Sequence, residues 1–154
     1  MPMKSDSPAI LIDTSVLVYA YDPGEPEKQH RALTVLRELQ AADAGALSVQ
    51  VLGEFFNIST RKLAPPLDAE VAAQAVADYV AAWTVYDVSR TTVLRAVQAV
   101  SEYRLSYWDA LIWASAKEHG LRVILTEDLQ DGQLLGGVLV RSPFSEDFRL
   151  DSLL

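Results

Sequence analysis

The sequence predicts an α/β fold: a three-layer α/β/α sandwich around a mainly parallel sheet. Two observations carry this. Short apolar runs, AILI, ALSV, RVILT and VLV, have the unbroken hydrophobicity of strands buried on both faces. Between them lie longer segments whose apolar residues recur at helical spacing, and strands that alternate with helices build parallel sheets covered on both sides. At 154 residues the chain has the length of one domain with a single core. A loose leader over residues 1–8, with two Pro and two Ser, is expected to precede a single domain over residues 9–154.

The elements follow in order. AILI, ending at Ile12, is the first strand, and TSVLVYAY is a short helix stopped by DPGEP. From Glu27 to Ala42, Ala32, Leu33, Leu36 and Leu39 recur among charged residues, which predicts an amphipathic helix broken by Gly45. ALSV is a second strand running into the helix QVLGEFFNISTRKL, which APP ends. The Ala-rich segment after Asp68, a predicted N-cap, is helical, and WTVYDV is a strand. RTTVLRAVQAVSEYR is a helix with Val93, Leu94, Val97 and Val100 on one side. LSYWDALIWASAKEHG is an almost wholly apolar helix ending at Gly120. RVILT is a buried strand, EDLQDGQLLGG a turn-rich connection and VLV a last strand.

Composition removes several kinds of chemistry. The chain has no cysteine, so disulfides, zinc–thiolate sites and thiol nucleophiles are excluded. No apolar run approaches the 20 or so residues of a membrane span, and MPMKSDSPAILID lacks the layout of a signal peptide; a soluble, cytoplasmic protein is expected. A formal charge of −8 opposes a basic nucleic-acid surface, but acids gathered to hold cations would account for part of it. No phosphate-binding glycine motif follows a strand. His30 lies on a charged helix face and His119 precedes a helix-ending glycine, so both read as surface or capping residues, and a two-histidine ribonuclease mechanism has weak support.

In parallel α/β sheets ligands gather beyond the carboxyl ends of the strands. Asp13 follows the first strand directly, Asp128 lies just past RVILT, and Glu54 is in the first turns of the helix after ALSV. Asp109 opens the helix after Arg104, and its placement at the same edge is an inference. Each has a structural alternative: Asp13 as N-cap, Glu54 as surface residue, Asp128 as turn initiator, and Asp109 as the far half of a capping box with Ser106. Together, four carboxylates in one cleft would repel unless a divalent cation balanced them. Oxygen ligands favour Mg²⁺ or Mn²⁺, a pairing suited to phosphodiester hydrolysis. A phosphoryl-transfer protein with Asp13 as nucleophile is a rival reading, weakened because no second acid stands two residues on. A module that binds RNA or protein without cleaving is another.

LIDTSVLVYA around Asp13, SVQVLGEFFN around Glu54, YWDALIWASAKEHG around Asp109 and ILTEDLQDGQ around Asp128 resemble, in order and spacing, the PIN-domain nucleases. The likeness is to the toxin component of bacterial VapBC-type toxin–antitoxin pairs in particular, and it runs from about Ala9 to Val140. It implies a metal-dependent endoribonuclease in which the acids at Asp13, Glu54, Asp109 and Asp128 bind one or two Mg²⁺ or Mn²⁺ ions. Asp131 falls where some members have a further acid and is implied as an additional metal residue. Thr14 and Thr126 match hydroxyl positions that orient water or metal, while Ser15 replaces an Asn common among relatives. The resemblance also implies an RNA substrate, a homodimer and a small cognate antitoxin whose segment crosses the acidic cleft. Arg61, Lys62 and Arg104 are the candidate RNA-contacting cations, although no basic stripe is apparent.

Overall fold

The computed structural model describes residues 8–154, so residues 1–7 of the expected leader lie outside it. Its strands are β1 (Ile10–Ile12), β2 (Gly45–Ser48), β3 (Thr84–Tyr86), β4 (Val123–Leu125), β5 (Leu134–Leu135) and β6 (Val138–Arg141). They form one sheet in the order β3-β2-β1-β4-β6-β5, parallel except for the β5–β6 pair. The helices are α1 (Thr14–Tyr19), α2 (Pro26–Ala42), α3 (Val49–Arg61), α4 (Ala69–Ala82), α5 (Arg90–Tyr103) and α6 (Tyr107–Glu118). A short 3₁₀ turn, Leu150–Leu153, follows near the C-terminus. The α/β architecture with a mainly parallel sheet is therefore the one the sequence predicts.

The chain winds outward from β1 to β2 and β3 on one side, then returns to place β4 on the other. The sheet order thus reverses between β1 and β4, and ligands bind at such reversals. Ile10, Leu11, Ile12, Ile124 and Leu125 are fully buried, as expected of central strands covered on both faces.

Helix ends show the local causes. Ser48 caps α3 by accepting the Val51 N–H at 3.3 Å. At the end of α6, His119 is the cap and Gly120 takes φ +69°. The Leu121 N–H then donates to the Ala116 carbonyl and the Gly120 N–H to that of Lys117, which is the paired bonding of a Schellman ending. Asp68 precedes α4 but makes no side-chain cap bond.

Three elements differ from the sequence reading. The end of α2 belongs to Asp43, in the left-handed region at φ 51°, and not to Gly45. Gly45 is a buried β2 residue where a Cβ would meet the Trp83 ring at 2.6 Å and the Ile12 side chain at 3.1 Å, so space, not flexibility, demands glycine. The connection after β4 contains β5, an antiparallel edge strand. On α5 the side chains turned inward are Thr92, Ala96 and Ala99, whereas Val93, Leu94 and Val97 face outward, because small residues line its broad contact with α6.

Candidate active site

Asp13 ends β1 and caps α1. It is 5% exposed, and both its oxygens are held: Oδ1 accepts the Thr14 N–H at 2.7 Å and Oδ2 the Thr126 hydroxyl at 2.7 Å. Thr126, one residue past β4, is fully buried, and its Oγ1 also accepts the Asp128 N–H at 3.0 Å. A single hydroxyl therefore links the acid at the end of β1 to the backbone of the acid beyond β4. Ser15 accepts the Glu127 N–H at 3.3 Å, a second tie between the same two loops.

Glu54 is reached from the other side. The Thr14 hydroxyl donates to Glu54 Oε2 at 2.8 Å, and Gln50 Nε2, one turn earlier on α3, donates to Oε1 at 2.7 Å. The same Gln50 amide donates to the Trp108 carbonyl at 3.0 Å, which fastens α3 to the first turn of α6. Asp109 lies in that turn. Its N–H donates to Ser106 Oγ at 3.2 Å. Only that half of the anticipated box forms; among the described residues the Asp109 carboxylate makes no return bond to the Ser106 backbone, whereas α5 has a complete box between Ser89 and Thr92.

Charge shows which acids sense one another. Burial pushes Asp13 up to about 6, with Asp128 and Glu54 adding to the rise and the Thr126 and Thr14 hydrogen bonds opposing it. Asp128 is also raised, by partial desolvation first and then by Asp109, Glu127 and Glu54. Three of the four predicted acids are thus coupled directly, and Asp109 joins them through Asp128. Asp131 stands apart. Desolvation is the largest single influence on its carboxyl and raises it, but Oδ1 accepts from the Ser142 N–H at 2.8 Å and from Arg141 Nε at 2.9 Å, and these contacts with the Arg141 charge together hold it below the usual range.

The donor set is suited to a hard divalent cation, being all oxygen and in need of positive charge. Among the described residues no three acids or histidines already converge on one ion position, so the fit rests on donor chemistry and charge.

Sequence reasoning missed Gln50 and the Glu127 cluster. Gln50 stands four residues before Glu54 on one helix face, a spacing that could have identified it. Glu127 Oε2 pairs with Lys28 Nζ at 2.7 Å and Oε1 accepts from the Tyr19 hydroxyl at 2.7 Å, which fixes the residue beside Asp128. That pairing of residues about a hundred positions apart has no local signal. Of the histidines, His30 is exposed, as read. His119 is half-buried and stacks on Tyr86 with ring centroids 4.0 Å apart. Arg61, Lys62 and Arg104 are exposed and form no ion pairs among the described residues. A cavity of about 530 Å³ opens elsewhere, between α2 and the C-terminal segment, lined by His30, Arg31, Glu38, Phe148 and Arg149 among others, and it contains none of the four acids.

A parallel sheet whose strand ends at the β1–β4 reversal carry coupled carboxylates defines an α/β protein with an acidic site at its carboxyl edge. Residues 10–130 match the PIN domain family, and the chain belongs to that family. Solved structures share the fold. Mycobacterium tuberculosis VapC20, described as a sarcin–ricin loop cleaving toxin, is 21% identical over 77% of this chain and 89% of its own, with a TM-score of 0.60. A toxin–antitoxin complex from Klebsiella pneumoniae matches at 21% identity over 88% of this chain and 98% of that one, with a TM-score of 0.64. DNA-bound VapBC from Salmonella typhimurium matches at 17% over 89% and 99%, also with a TM-score of 0.64. No curated protein matches by sequence. No helix among the described residues is long and apolar enough to cross a membrane.

Proposed function

We propose that this protein is an endoribonuclease that cleaves RNA phosphodiester bonds with a bound Mg²⁺ or Mn²⁺, and that it is the toxin of a toxin–antitoxin pair. The carrying observation is Asp13: buried, held through both oxygens, and pushed up to about 6 by burial together with two neighbouring acids. A group in that setting is stabilised by an adjacent cation. Asp13, Glu54, Asp109 and Asp128 would hold the ion. When bound, it supplies charge neutralisation at the phosphate and a lowered pKa for an attacking water. Thr126 orients Asp13, while Thr14 and Gln50 orient Glu54, so these carboxylates are aimed before substrate arrives. Asp131 is assigned to bracing Arg141 rather than to the metal.

The nucleophilic reading of Asp13 is disfavoured because Ser15, and not a second acid, stands two residues on. The toxin role is supported by PIN-domain membership and by solved neighbours described as toxins or toxin–antitoxin complexes. It carries with it a small antitoxin covering the acidic edge, a homodimer and action in the cytoplasm. A basic antitoxin side chain there would compete for the carboxylates.

The test is cleavage of structured RNAs by the purified protein with Mg²⁺ or Mn²⁺. Cleavage should vanish in EDTA and in Asp13→Asn and Asp109→Asn. Undiminished cleavage in EDTA and in both variants would overturn the metal–carboxylate assignment. Reproducible RNA binding without cleavage, under every metal condition, would instead favour the non-cleaving module.

A further inference from the structure

Trp108 is 62% exposed, although the rest of α6 from Ala110 to Ala116 is buried. The other two tryptophans are more enclosed: Trp113 is 5% exposed and donates to the Leu135 carbonyl, and Trp83 is half-buried against Gly45. An exposed indole is unusual enough to ask what it meets. Its position is fixed from three sides. It directly precedes Asp109, its carbonyl is bonded by the Gln50 amide that also holds Glu54, and the Tyr107 ring packs edge-on at 5.0 Å. Trp108 thus stands in the first turn of α6 beside Asp109, with its backbone carbonyl on the same Gln50 amide that donates to Glu54.

Charge supplies the second half of the argument. The chain carries −8, and the acidic edge repels phosphates except where a cation intervenes. The cations the sequence offers for RNA contact, Arg61, Lys62 and Arg104, are three against a net charge of −8 and provide little of the counterion-release affinity on which most nucleic-acid binders depend. Stacking on an aromatic face does not depend on net charge and requires an unpaired base. Trp108 offers such a face next to the site, whereas the extended aliphatic stripe suited to a protein partner, Val93, Leu94 and Val97, lies on α5.

We propose that Trp108 is a base-stacking platform: a nucleobase of single-stranded RNA lies on the indole while the neighbouring phosphate is presented to the acids. The inference rests on the ribonuclease reading and adds to it the side chain on which a substrate base is held.

Two measurements on the full-length protein test it separately from that reading. Tryptophan emission is followed in Ca²⁺, a hard cation that balances the acidic edge, during titration with a short single-stranded oligoribonucleotide and with its fully paired duplex. Cleavage of the single strand in metal is then measured for the wild type, Trp108→Ala and Trp108→Phe. The single strand should quench the emission, the duplex much less, and the quench should disappear in Trp108→Phe. Trp108→Ala should raise KM roughly ten- to a hundred-fold with kcat nearly unchanged, and Trp108→Phe should recover most of the loss. An unchanged KM in Trp108→Ala, a quench that persists in Trp108→Phe, or a change in oligomeric state in place of KM overturns the proposal and leaves the nuclease intact. The last of these would assign the indole to a protein interface. Quenching that depends on Trp108 in a protein that cleaves no RNA would sustain stacking and overturn the nuclease.

Discussion

Asp13 concentrates the conflict between stability and function at one residue. Its carboxyl is raised from 3.8 to about 6, so the folded chain holds a proton that the unfolded chain releases. Stability from this residue is consequently undiminished below pH 4, falls between about pH 4 and 6, and stays lowered above. The gap corresponds to a cost on the order of 3 kcal/mol at neutral pH without metal. Asp13→Asn keeps the Thr14 N–H bond through its amide oxygen, faces Thr126 Oγ1 with an NH2 that donates where the carboxylate accepted, and carries no charge. In EDTA at pH 7 it should therefore melt at a higher temperature than the wild type, and its melting point should be flatter between pH 4 and 6. Mg²⁺ should raise the wild-type melting temperature and barely move the variant. Thermal unfolding across pH, with and without metal, checks this; a variant less stable than the wild type in EDTA at pH 7 would show that burial of the charge is not penalised. The strand-end acids Asp13 and Asp128 were legible because an acid right after an apolar run has few places to go. The groups that aim them were less so, since the bonds of Thr126 to Asp13 and of Thr14 to Glu54 join residues 113 and 40 positions apart.

At the scale of elements, hydrophobic period located nearly every strand and helix but not which helical side meets the protein. On α5 the apolar side predicted from spacing is largely the one left to solvent, since Thr92, Ala96 and Ala99 allow close approach to α6. Period reports that a side is apolar, and packing decides what covers it. β5 escaped notice because a two-residue edge strand between glycine turns has no period to read. Gly45 was legible as a glycine but not for its reason, since Trp83 comes from a different element some 40 positions along. Gly45→Ala should accordingly destabilise the protein by about 1–3 kcal/mol through overpacking. Denaturant unfolding should show a lower midpoint, and the neighbouring change Ala44→Gly should not reproduce it. An unchanged midpoint for Gly45→Ala would mean that the Trp83 ring shifts away freely.

For the molecule as a whole, the sheet reversal gathers the acids at one edge while α5 offers an aliphatic surface on a different element. Leu94 is 66% and Val97 56% exposed, with Val93 beside them at 36%. Fully burying a side chain of this kind is worth about 1.5–3 kcal/mol, so leaving three together in water is a standing cost unless another surface covers them. A second copy of the chain is the covering expected, because a two-fold axis lets one patch serve both sides and the loss of translational freedom is met by two equivalent stripes. An antitoxin bound at the acidic edge would then leave the dimer contact untouched. Leu94→Glu combined with Val97→Glu should place like charges across such an axis and halve the mass seen by sedimentation, while the metal response of Asp13 and the cleavage of short RNA persist. The double variant should not lower the melting temperature of the isolated protomer, since neither side chain is buried within it. If the wild type sediments as a monomer at every concentration, or the double variant keeps the wild-type mass, the α5 stripe is not the contact between copies.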